Sequence, residues 1–285
     1  MIKTAIACMS GSLKCVFVHG VLHALENHKF KADAYAACSS STLMGAFAAS
    51  GKISELSLDI WLGNIDYLKQ PGIGMSEVVK GTINKFSDSI RKNLFNGSSS
   101  RFIVPCSFVR NDEAALLTQG ERASMLGRKL LLLAARKDNQ WAKENLDRHI
   151  FDTEAGNKEF LLSTGNYEEV FYATSRMLHA WRIPAVINGK PYVDGSYTCM
   201  CPVEPLIDLG YKNIIVIATE PGEIYTDLFS SKIITYDMKG SKIDIIQPDT
   251  DLKNLGVEFT RATREGLQSA FEHGIVKGSK FINKV

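Results

Sequence analysis

The 285-residue sequence contains no stretch approaching the roughly 20 apolar residues that a bilayer-spanning helix needs, so no membrane span is expected. Its opening residues, MIKTAIACMS, lack a long apolar core followed by a cleavage signal, which argues against secretion. Charge of one sign is also lacking. Lys and Arg number 33 against 31 Asp and Glu, a net charge of +2, without the clustered basic excess of a nucleic-acid binder. Six cysteines stand in no repeating frame, which excludes a disulfide scaffold and fits reduced thiols in a cytoplasmic protein. No Gly-Lys-Ser/Thr loop and no G-x-G-x-x-G run is present, so the Walker and dinucleotide fingerprints are absent. His19 and His23 share a helical face without a third ligand, and Cys199 and Cys201 lack a second pair, so no metal or other cofactor is expected. Internal repeats and low-complexity linkers are missing too, which leaves one domain over 1–285.

Hydrophobic residues make up 45% of the chain, enough for a large core. Lys3–Met9 (KTAIACM) and Asp33–Ala37 (DAYAA) read as short buried strands. Each is followed by a turn and a helical pattern, Val16–His28 and then Thr42–Ser50, the second closed by Gly51. Strand, turn and helix twice over predict βαβ units and a parallel sheet. From Ile53 to Glu169 the pattern turns helical, at Ile53–Leu62, Met75–Phe86 and Gln119–Lys137, with one strand at Phe102–Val109. This segment is expected to cap the sheet. Strands return at Tyr192–Asp194, Asn213–Thr219 and Lys242–Gln247, with helices at Pro202–Leu209 and Val257–Lys277.

Between the second strand and its helix the chain reads AACSSST. A serine nucleophile must be presented on a sharp strand-to-helix turn, with small residues two before and two after it. Centred on Ser39, those positions are Ala37 and Ser41. Centred on Ser40 they are Cys38 and Thr42, and a β-branched residue suits the crowded position poorly. Ser39 is the preferred register; the alternative for the whole run is a helix N-cap. The earlier turn, Ser10–Cys15 (SGSLKC), has a glycine among small residues at a helix start, where backbone N–H groups suit a developing anion. Tyr192–Ser196 (YVDGS) offers Asp194 at a strand end, as a base or as a plain turn former. Cys15 and Cys38 have no evident histidine to activate a thiol.

In this order and spacing the pieces resemble the patatin-like phospholipases and acyl hydrolases. These are Ser-Asp lipolytic enzymes with a G-G-G-x-R/K-G turn, a G-x-S-x-G elbow and a D-G-G/A turn. Here SGSLKC is followed by Gly20-Val21-Leu22, the basic residue falls on Lys14, and Asp33 and Gly45 align so that the nucleophile is Ser39. YVDGS then supplies Asp194, followed by Pro202-Val203 and the strand Asn213–Thr219, while Ala173–Pro184 is similar to the segment leading into the D-G strand. The likeness covers residues 3–51 and 170–220, more loosely 242–280, and not 53–169. Ser10, Ser12 and Cys15 replace glycines of the turn, Ala37 and Ser41 those of the elbow, and Ser196 follows Gly195; Cys199 stands where the family has a later Asn. All are small, which marks a divergent member.

The resemblance implies an α/β three-layer sandwich with a mostly parallel central sheet and a helical cap insertion over 53–169. It implies a serine acyl hydrolase acting on a lipid ester or acyl thioester. Ser39 attacks, Asp194 takes its proton, and the N–H groups of Gly11, Ser12 and Leu13 hold the oxyanion. Lys14 is either a substrate or anion contact or a solvated helix-start lysine. The same acyl-enzyme step serves an acyltransferase, and a disabled site leaves an acyl-binding protein. The run Leu126–Lys137 (LGRKLLLLAARK) is either a transient lipid-surface contact or a core-facing helix.

Overall fold

The computed structural model describes residues 3–284. Nine strands follow in chain order: β1 (Thr4–Cys8), β2 (Ala34–Ala37), β3 (Arg101–Val109), β4 (Leu146–Asp152), β5 (Ala185–Ile187), β6 (Lys190–Val193), β7 (Asn213–Ile217), β8 (Asp237–Met238) and β9 (Ser241–Ile246). They form one mixed sheet, whose inner five strands, β3-β2-β1-β7-β9, run parallel. The expected α/β class with a mostly parallel sheet therefore stands. Early helices are α1 (Cys15–Asn27), α2 (Thr42–Ala49), α3 (Asp59–Tyr67), α4 (Met75–Lys85) and α5 (Ser87–Leu94). After β3 come α6 (Asp112–Gln119), α7 (Ala123–Ala135) and α8 (Gln140–Asn145), then α9 (Tyr167–Thr174), α10 (Ser196–Cys199), α11 (Val203–Asp208) and α12 (Arg264–Ile282).

Alternate residues of the central strands enter two cores. Ile6, Cys8 and Ala37 pack with α1, α2 and α12 on one face, whereas Ala5, Ala7 and Ala36 pack with α11 on the other. Both faces are therefore apolar, as parallel strands require. Helices α1 and α12 meet through glycine. A Cβ on Gly20 would lie 2.0 Å from the Phe271 carbonyl oxygen, and one on Gly274 would lie 2.3 Å from that of Phe17.

Several boundaries differ from the sequence expectation. Ile53–Leu62 is a 3₁₀ turn at Ile53–Glu55 followed by α3. Gln119–Lys137 divides between the end of α6 and α7, with a break at Gly120. The closing helix begins at Arg264 rather than Val257. Val257 pairs instead with Ala262 in a narrow loop, and the Thr263 hydroxyl caps the helix by accepting the Gly266 N–H. The segment 53–169 is more than a helical cap, because it supplies β3, inside the sheet, and β4.

Candidate active site

Strand β2 ends at Ala37 and α2 begins at Thr42, joined by the 3₁₀ turn Ser39–Ser41. Ser39 lies in the left-handed region at φ +58°, which costs a non-glycine residue roughly 1–2 kcal/mol. Neighbours hold it there. The Ser39 N–H donates to Thr174 Oγ1 at 3.2 Å, and Thr174 Oγ1 donates to the Pro105 carbonyl at 2.6 Å. Ser41 Oγ donates to the Cys38 carbonyl at 2.8 Å. Small residues are needed where α2 passes the strand, since a Cβ on Gly45 would sit 2.7 Å from that of Ala37.

The sheet explains how residue 194 reaches residue 39. A strand has two hydrogen-bonding edges. Strand β4 takes one edge of β3 from Ile103 to Val109, so β2 and β6 share the other. β2 runs up from Arg101 to Ile103 and β6 comes down from Phe108 to Ser107. Counting on from the Ala36–Ile103 and Val193–Ser107 pairs, the two chains converge head-on opposite Cys106. At that meeting point Ser39 Oγ donates to Asp194 Oδ2 at 2.8 Å. Gly195 must turn tightly over β3, because a Cβ there would lie 2.4 Å from the Pro105 carbonyl oxygen.

Asp194 is fully buried. Burial pushes its carboxyl from the usual 3.8 up to about 6, against opposing hydrogen bonds from Ser196 and Ser39. Its Oδ1 accepts the Ser196 N–H at 2.8 Å and Oγ at 2.6 Å. Its own carbonyl accepts Ser107 Oγ at 2.8 Å. A serine hydroxyl donating to a buried, proton-hungry carboxylate is a nucleophile–base arrangement. The other serines are placed differently: Ser41 bonds backbone carbonyls, and among the described residues the Ser40 hydroxyl has no bond to a carboxylate.

The turn after β1 corrects two expectations. The Leu13 N–H donates to the Phe259 carbonyl at 3.3 Å and is not free to receive an oxyanion. Lys14 does not line the site. Its Nζ donates to Glu220 Oε1 at 2.7 Å and Asp251 Oδ1 at 2.9 Å, tying the turn to distant loops. Burial alone would lower the Lys14 ammonium, but the bonds and charges of those two carboxylates outweigh it and raise it. Among the described residues, the N–H groups of Gly11, Ser12 and Ser40 carry no internal acceptor. Ser12 is itself left-handed, at φ +50°, and its buried hydroxyl also lacks a partner. Gly11 is required sterically, since a Cβ there would meet Thr219 Oγ1 at 2.7 Å. Ser40 as a backbone donor, and Ser10, Thr174 and Ser196 as supports, were not singled out from the sequence. The residue after an elbow nucleophile is a frequent oxyanion donor, and that signal pointed to Ser40.

A mostly apolar pocket of about 70 Å³ opens over Ser39. Ser12 and Ser40 line it beside Ser39, Met44 of α2, Trp61 of α3 and Val78, Val79 and Ile83 of α4 supply much of its apolar wall, and Thr42, Asn64, Thr82 and Ser175 add polar atoms. His19 is fully buried, accepts the Trp61 Nε1–H at Nδ1 and bonds the Leu56 carbonyl through Nε2 at 3.0 Å. Burial lowers it to about 4, so it is a neutral packing residue behind the pocket wall. The six thiols are free and buried. Burial raises Cys15 and Cys38 well above the ordinary thiol range, which removes them as nucleophiles. Among the described residues no group of three or more His, Cys, Asp or Glu is placed to hold a metal, and no helix is long and apolar enough to cross a membrane.

No protein-family model and no curated protein matches the chain.

Proposed function

We propose that this protein is a serine acyl hydrolase of the patatin-like type. The observation that carries the reading is the 2.8 Å hydrogen bond from Ser39 Oγ to the buried Asp194 carboxylate at a left-handed elbow facing an apolar pocket. Ser39 attacks the acyl carbonyl as its proton passes to Asp194 Oδ2. The oxyanion is received by the N–H groups of Gly11, Ser12 and Ser40, and each such donor is typically worth about 2.7–4 kcal/mol. Asp194 then protonates the departing alcohol or thiol. A water molecule, deprotonated by the same carboxylate, releases the free acid and restores Ser39.

The lining favours an aliphatic acyl chain, because Leu43, Met44, Ile60, Trp61, Val78, Val79 and Ile83 dominate it, with Thr42, Asn64 and Thr82 as the polar side chains beyond the serines. Lipid esters and acyl thioesters are thus the proposed substrates. In α7, Leu126 and Leu130 face the core, while Met125 and Leu132 are exposed beside Arg128 and Lys129, a pattern suited to transient contact with a lipid surface. Six unpaired, buried thiols fit a reducing cytoplasmic setting.

A fluorophosphonate probe tests the assignment. Labelling is expected in the parent protein and in Ser40→Ala, and is expected to vanish in Ser39→Ala. Absence of labelling in the parent, or its persistence in Ser39→Ala, overturns the reading. Once labelling has identified Ser39, release of free fatty acid rather than a new ester by the unlabelled protein separates hydrolysis from acyl transfer.

A further inference from the structure

We propose that Ser10 and Ser196 form a hydroxyl clamp that positions the Asp194 carboxylate toward Ser39, an inference that rests on the hydrolase reading above. The two carboxylate oxygens of Asp194 have different surroundings. Among the described residues, Oδ2 receives only the Ser39 hydroxyl, at 2.8 Å. Oδ1 receives both the N–H and the hydroxyl of Ser196, at 2.8 and 2.6 Å. Ser196 Oγ in turn lies 2.8 Å from Ser10 Oγ. A hydroxyl has one proton and an ionised carboxylate only accepts. The heavy-atom geometry favours Ser196 Oγ as the donor to Ser10 Oγ, but its single proton goes to the ionised carboxylate, which can only accept, so Ser10 supplies the proton of the second bond. Ser10, Ser39, Asp194 and Ser196 are exposed by 5, 3, 0 and 1%, so bulk water does not compete for these bonds.

The clamp joins three separate pieces of chain. Ser10 precedes the free Gly11 amide and is held by its own N–H on the Met200 carbonyl and by Thr219 Oγ1 on its carbonyl, at 3.0 and 2.7 Å. Ser196 begins α10. The bond between them sets the oxyanion turn and the base in one frame. At both positions the sequence carries serine where the family it resembles carries glycine or, at 196, glycine or alanine. The pairing matters most to Ser10: without Ser196 its buried hydroxyl would lose its partner, where an unsatisfied group is costly, whereas Ser196 alone would keep its bond to Asp194. During catalysis the Ser39 proton moves to Oδ2, and the clamp protons stay on their own oxygens.

The titratable groups facing the carboxyl are the thiols of Cys15, Cys38 and Cys106 and the phenol of Tyr197. Burial raises all four, so they remain neutral while Asp194 titrates. The clamp hydrogen bonds favour the ionised form.

The test is the pH dependence of fluorophosphonate labelling at Ser39 in the full chain, with thermal melting as a folding control. The parent is expected to lose labelling below about pH 6. Ser196→Ala is expected to move that limb up by about one pH unit, the worth of one hydrogen bond to a charged group. Ser10→Ala is expected to move it the same way by less, and the double variant to match Ser196→Ala, since the two act in series. If Ser196→Ala does not fold, Ser10→Ala carries the test, because both Ser196 bonds to Asp194 remain. A limb left at the parent pH in the folded variants overturns the clamp alone. A parent that is never labelled overturns the hydrolase reading, and the clamp with it.

Discussion

Thr174 holds Ser39 in its left-handed conformation: the Ser39 N–H donates to Thr174 Oγ1 at 3.2 Å, and the same oxygen donates to the Pro105 carbonyl at 2.6 Å. One hydroxyl thus ties the elbow to β3 in the gap between β2 and β6. Thr174→Val keeps the shape and removes both bonds. It should cost about 1–3 kcal/mol, because a buried N–H and a buried carbonyl lose their partners. Urea denaturation measures that loss. Labelling of Ser39 should slow at the same time, as the hydroxyl loses its fixed direction.

Asp194→Asn separates the base from the hydrogen bond. The amide can still face Ser39 but cannot take its proton, so turnover should fall by roughly 10²–10⁴-fold. The same variant tests the burial of the charge. The Asp194 carboxyl binds its proton more tightly in the folded chain, at about 6, than at the ordinary 3.8. Its contribution to stability is therefore fully present below about pH 4 and is lost as pH rises through about 6. The loss amounts to about 3 kcal/mol. Asparagine does not titrate, so the melting temperature of Asp194→Asn relative to the parent should rise between pH 4 and pH 7.5. A difference that stays constant across that range would contradict a raised carboxyl.

Gly11→Ala should destabilise by about 1–3 kcal/mol, because its Cβ would lie 2.7 Å from Thr219 Oγ1 and 2.8 Å from Cγ2. Thr219→Ala removes both atoms and leaves its Cβ, at 2.9 Å, as the remaining close neighbour. The double variant should therefore be more stable than the sum of the single effects, and a thermal-melting cycle measures the coupling.

Lys14→Met tests the reassignment of that lysine. Its partners Glu220 and Asp251 are 41 and 45% exposed in their side chains and can be resolvated, so the loss should be only about 1 kcal/mol. Fluorophosphonate labelling should stay within about tenfold of the parent, because Nζ points to those carboxylates and Lys14 does not line the pocket. A loss as complete as that of Ser39→Ala would return Lys14 to the site.

Much of the architecture was legible because it rests on local pattern. The apolar runs at Thr4–Cys8 and Asn213–Ile217 are largely buried strands bounded by turns, Ser241–Ile246 is a strand buried at Ser241, Ile243 and Ile246, and Met75–Lys85 keeps helical spacing. Strand β4 was not legible. Its Asp147, Arg148 and His149 read as polar surface, and only the long antiparallel pairing with β3 makes the segment a strand. The start of α12 was misplaced for a similar reason. Val257 is buried and Phe259 packs against the aromatic rings of His179 and Trp181, so both add to the apolar pattern without belonging to a helix.

By itself the sequence determined the crowding at the elbow and the tight turn after Asp194. Small residues at 37, 41 and 45 and glycine at 195 are steric requirements that neighbouring positions express. Only the tertiary structure decided which amides are free, what Lys14 binds and how Asp194 is held. The partners of Leu13, Lys14 and Asp194 are Phe259, Glu220 with Asp251, and Ser39 with Ser196, most of them more than a hundred residues away. A backbone conformation is limited by the sterics of adjacent residues, whereas the partner of a polar group depends on which distant segment docks beside it.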